Sequence, residues 1–81
     1  MPKVRRANLP PALFHHLLDR VRDRRVSADQ LRELADWLAG EPEVPSIKWF
    51  KRFGGMTVCG EGELVKTFLL AGQVPIGKEM L

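Results

Sequence analysis

An α+β fold is predicted by this 81-residue chain: an N-terminal αα-hairpin followed by a small three-stranded antiparallel meander, with a mostly α chain bearing one short hairpin as the alternative. Three observations carry that prediction. Apolar residues recur at spacings of three and four as far as Leu38, as on one stripe of a helix. The stretch Glu41-Pro42-Glu43-Val44-Pro45 then breaks helical geometry, because each proline disfavours the α region in the residue before it. Beyond it the spacing changes to alternation, punctuated by Gly54-Gly55 and by Gly60-Glu61-Gly62-Glu63.

Residues 1–81 read as one small domain: a basic arm over 1–8, a helical hairpin over 9–40, a Pro-rich connector over 41–45, a β meander over 46–70 and a C-terminal tail over 71–81. The first helix is expected from Pro10 to Arg24, with Leu13, Phe14, Leu17, Leu18 and Val21 on one stripe and Asn8 as N-cap. The second carries the clearest local code. Ser27 and Gln30 form a capping box, Val26 and Leu31 a hydrophobic staple, and Gly40 supplies a left-handed terminator, so a helix over 28–39 is expected. Its stripe is Leu31, Leu34, Ala35 and Leu38, with Trp37 beside it.

In the meander, Ile47, Trp49 and Phe53 alternate with Lys48, Phe50 and Arg52, while Lys51 breaks the alternation. Met56 to Cys59 and Leu64 to Leu70 supply the next two strands. In the rival arrangement Ser46 caps a short helix, and Leu64, Val65, Phe68 and Leu69 form a helical stripe ending at Gly72. Residues 71–81, with Pro75 and two glycines, are an edge segment or a loose tail.

Composition narrows the function classes. At 44% apolar and 28% charged the chain belongs with folded globular proteins, and its single cysteine, Cys59, excludes an intrachain disulfide and a multi-cysteine zinc site. The basic start is followed by no apolar run, so a soluble, cytoplasmic protein without a membrane partner is expected; eight Arg against five Lys, no Tyr and two Ile suggest a GC-rich bacterial source. The net charge of +3 is unevenly spread, with +5 over residues 1–26, −4 over 27–45 and +2 over 46–81. Such blocks can pair across a dimer or leave one basic face on a monomer.

Candidate chemistry is sparse. His15, Asp19 and Asp23 share one side of the first helix at metal-ligand spacing, yet the neighbouring arginines favour a solvated, ion-paired face; His16 is expected half-buried. Cys59 lies in an apolar run, where a free cysteine is usually a small core residue. Gly60-Glu61-Gly62-Glu63 lacks the third glycine and the βαβ context of a dinucleotide site, and reads as a wet turn. No cofactor, metal or catalytic constellation is expected.

The cations Lys3, Arg5 and Arg6, the cluster from Arg20 to Arg25, and the motif Lys48-Trp49-Phe50-Lys51-Arg52-Phe53 remain. Lys48, Lys51 and Arg52 at phosphates, with Trp49 or Phe50 stacked on a base, would make a nucleic-acid surface. The same rings would otherwise fill the core of a chain this small. The expected function is a non-enzymatic binding module, a homo-oligomer or protein-interaction domain, with nucleic-acid binding as the alternative.

Overall fold

A computed structural model of the chain describes residues 2–70 and 72–80. A 3-10 turn at Arg6–Asn8 precedes α1 (Pro11–Arg22) and α2 (Ala28–Ala39), and four strands follow: β1 (Lys48–Phe53), β2 (Met56–Glu61), β3 (Leu64–Leu69) and β4 (Lys78–Met80). The helical hairpin and the meander are therefore present, and the α+β class holds.

Helix boundaries follow the local chemistry, with two corrections. Ser27 Oγ accepts from the Gln30 N–H at 3.1 Å while the Gln30 side chain accepts from the Ser27 N–H at 2.9 Å, so the capping box fixes the start of α2. Asn8, expected to cap α1, instead accepts from the Arg5 N–H at 3.0 Å within the preceding turn. The cap position is Pro10, held extended at φ −61°, ψ 138° because Pro11 follows it, and α1 cannot begin earlier. Gly40, expected left-handed, has φ −77°; the left-handed residue is Glu41 at φ 47°. The Glu41 N–H reaches back to the Leu38 carbonyl at 3.0 Å, tightening the last turn and moving the reversal one residue on.

The sheet order is β3-β2-β1-β4. β1–β2 and β2–β3 are antiparallel hairpins closed by the two-residue loops Gly54-Gly55 and Gly62-Glu63, with positive φ at the first glycine of each. Of the stretch 71–81, expected as an edge segment or tail, Ala71 and Leu81 lie outside the described residues, and the rest carries β4, which pairs parallel to β1 with Lys78, Glu79 and Met80 opposite Trp49, Phe50 and Lys51. A parallel pairing so distant from β3 demands a crossover. Reaching β1's far side from β3 means spanning three strand spacings, about 14 Å, and returning about 10 Å from the level of Arg52 to that of Trp49, within reach of the eight residues between Leu69 and Lys78 at roughly 3.3 Å each.

One face of the sheet carries the helices. Leu17 of α1, Leu34 and Leu38 of α2, and Trp49, Phe53, Met56, Val58 and Val65 of the strands form one buried cluster with Val4, Val26 and Val44. Val4 belongs there because the N-terminal segment, expected as a basic arm, is tied to the Pro-rich connector: the Val4 N–H donates to the Pro42 carbonyl at 3.0 Å and the Val44 N–H to the Pro2 carbonyl at 2.8 Å. The crossover lies on the opposite face, where Val74 and Ile76 bound a space with Cys59, Thr67 and Leu69.

Candidate functional site

β1 sorts the basic-aromatic motif between these two faces. Alternation sends Trp49, Lys51 and Phe53 toward the helices and Lys48, Phe50 and Arg52 toward the crossover. Trp49 is fully buried, its indole N–H donating to the Gly62 carbonyl at 2.9 Å. Trp37 of α2 meets it edge-on at 5.6 Å between ring centroids and meets Phe53 at 5.9 Å. Lys51, which broke the alternation, lies over Phe53 and Trp37 with its ammonium 5.6 and 5.9 Å from the ring centroids. Lys51 as a whole is half-buried, and the ring faces beneath its ammonium give a lysine on the core face a cation–π partner.

On the other face Phe50 is only 8% exposed. The Arg52 guanidinium lies 5.5 Å from its ring centroid and pairs with Glu79 of β4 at 3.3 Å. Lys48 is exposed. The five residues marked out as a binding surface are thus divided: Lys48 and Arg52 share one face, Lys51 holds the other, and neither Trp49 nor Phe50 presents a free ring.

The remaining sequence candidates stay apart. Asp19 approaches Arg22 at 3.9 Å and Asp23 pairs with Arg20 at 3.0 Å, while His15 is exposed beside them. Among the described residues no cluster of three or more His, Cys, Asp or Glu could hold a metal ion. His16, expected half-buried, is exposed. Cys59 faces away from the helices and is half-buried, and burial pushes its thiol above the ordinary value, which disfavours thiolate. Arg5, of the arm, pairs with Glu41 at 2.8 Å.

Sequence reasoning missed an apolar groove between the helices. Leu9, Pro11 and Phe14 form one wall and Leu31, Ala35 and Leu38 the other, enclosing about 690 Å³. Its signal lay in the width of the first stripe. Leu17 is buried and Leu13 and Val21 pack on the core, which is enough for one contact, while Phe14 is left over at 41% exposure. A stripe wider than its own core requires is a sign of a second contact.

Comparison with protein-family models, curated protein sequences and solved structures gave no match. No helix among the described residues is long and apolar enough to cross a membrane.

Proposed function

We propose that the chain is a non-enzymatic protein-interaction module that works by self-association, two copies meeting through the grooves of their helical hairpins. The observation that carries this is the apolar groove flanked by an exposed Phe14. A second copy suits it on shape and charge. Phe14 both lines the groove and projects from it, so a two-fold axis at the rim lets each copy's ring enter the other's groove. Within the +5 block over residues 1–26 α1 carries Arg20 and Arg22 against Asp19, and within the −4 block over 27–45 α2 carries Asp29, Glu33 and Asp36 against Arg32, so α1 of one copy laid on α2 of the other sets a weakly basic helix against an acidic one.

The nucleic-acid alternative requires ring faces at the surface. Trp49, Phe50 and Phe53 are buried, so it lacks the stacking platform on which it rested. Sedimentation equilibrium at micromolar concentrations tests the proposal. Wild type should sediment as a dimer, and Phe14→Glu, a change at an exposed position, should return the 9.2 kDa species. A wild type found only at 9.2 kDa rejects self-association.

A further inference from the structure

We propose that the outer edge of β1 is a docking edge for an extended segment of another protein with the pattern glycine, any residue, acidic residue, apolar residue, and that residues 77–80 are the resident occupant such a segment displaces. The site is separate from the helical groove, and neither depends on the other.

The resident strand shows what the edge selects. A Cβ at Gly77 would lie 2.6 Å from the Lys48 carbonyl oxygen and 3.0 Å from the Trp49 nitrogen, and its φ is +119°, so the first position admits glycine alone. Glu79 meets Arg52 at 3.3 Å, which selects a carboxylate two residues on. Met80 is half-buried against the core cluster, opposite Lys51, which selects an apolar side chain after it. Lys78 is exposed and selects nothing. Main-chain pairing supplies attachment and these three positions supply specificity, the division of labour in strand addition.

The occupant is also weakly held. It pairs with three residues of β1, and its one ion pair is open to solvent on both sides. The crossover leading to it adds little, because Val74 and Ile76 remain 85% and 77% exposed and a space of about 290 Å³ lies beneath them. To these few contacts the tether adds an effective concentration on the order of a millimolar. A second copy offering the same residues would trade identical contacts and forfeit the tether. A foreign segment whose preceding residues fill the space that Val74 and Ile76 leave gains contacts that the resident does not make, which makes another protein the source.

The probe is a labelled peptide of residues 74–80, Val-Pro-Ile-Gly-Lys-Glu-Met, titrated into the full chain. Wild type should bind it only near the millimolar range set by the tether. Chains released by Gly77→Val, or by Glu79→Arg, which opposes Arg52 without touching the core, should bind at least about ten-fold tighter, since apparent affinity rises with the open fraction. A peptide with the Gly77→Val change should bind none of them. Adding Arg52→Glu to the Gly77→Val chain should weaken binding of the original peptide several-fold and restore it for a peptide carrying Glu79→Arg. Equal affinity for wild type and both released chains, with folding confirmed by NMR, overturns the proposal; should Gly77→Val fail to fold, Glu79→Arg alone decides. Released chains that dimerise and resist excess peptide overturn the assignment of the edge to another protein.

Discussion

Gly60 and Gly77 use one device in two settings. At each, the missing Cβ lets another part of the chain come closer than any side chain would permit: the Trp49 indole over Gly60, the backbone of Lys48 and Trp49 against Gly77. Gly60 is buried beneath the Trp49 indole, with Val58 two residues along on the same face and Trp37 of α2 against that indole. Gly77 is exposed, at the start of a three-residue edge strand whose approach leaves apolar side chains in water. A steric demand backed by burial contributes to global stability, because nothing can move without opening the core. The same demand without burial selects what docks there and leaves the docking reversible.

The sharpest way to break the comparison is at Gly60. An added methyl would collide with Trp49 and lie 2.6 Å from the Leu64 carbonyl oxygen, which is backbone and cannot rotate aside. Gly60→Ala should therefore cost about 3 kcal/mol or more, at the upper end of overpacking, and urea unfolding would read it as a large drop in midpoint. A loss within about 0.5 kcal/mol, the range of an ordinary surface change, would show that burial does not separate the two glycines.

A smaller effect sits in the layer that covers Trp49. Ser27→Ala removes the side-chain partner of the Gln30 N–H and should cost about 0.5–2 kcal/mol, measured by denaturation, while leaving the β4 amides as protected as before. Loss of protection at residues 78–80 in that variant would mean that the helical layer and the edge strand open together.

How far each region could be read from sequence follows the same division. The capping box was legible because it lies within four residues, and the three hairpin-linked strands because alternation and glycine turns are local signals. β4 was not, since three residues pairing parallel to a strand 29 positions earlier leave no period to detect. Trp49 and Phe53 could be read as core or surface because Lys51 interrupts them; only the position of Trp37, brought from α2, shows how a lysine can lie on the inner face with its ammonium over a ring. Gly60 was grouped with the turn that follows it, as a glycine beneath a distant indole looks the same in sequence as a glycine in a loop.

A gain is expected where the chain ends α1 without a glycine. The Arg25 N–H reaches the Arg20 carbonyl at 2.9 Å and the Arg24 N–H reaches that of Val21 at 3.1 Å, the bond pair of a Schellman ending, with Arg24 in the left-handed position at φ 62°. Arg24→Gly removes the strain of a side chain there and adds some unfolded-state entropy, for a net stabilisation of about 0.5–1 kcal/mol. Since this ending is remote from β4, a higher melting temperature with unchanged exchange at residues 78–80 would show that global stability and edge docking are set independently.

The smallest global effect should come from Glu79→Gln, and it tests the comparison most finely. The carboxylate meets Arg52 at 3.3 Å in the open, where an ion pair contributes roughly 0–1 kcal/mol, and of β4 only Met80 packs against the core cluster. Its loss should therefore leave the denaturation midpoint nearly unmoved. Hydrogen exchange reads a different quantity, the free energy of local opening, which for a short edge strand is far below that of global unfolding. If β4 opens by itself, the variant should exchange several-fold faster at residues 78–80 while the β2 amides keep wild-type protection, and added salt should narrow the difference by screening the pair in the wild type. Acceleration spread evenly over β1, β2 and β4 would instead make the edge strand one cooperative unit with the core, and Gly77 would then act as Gly60 does.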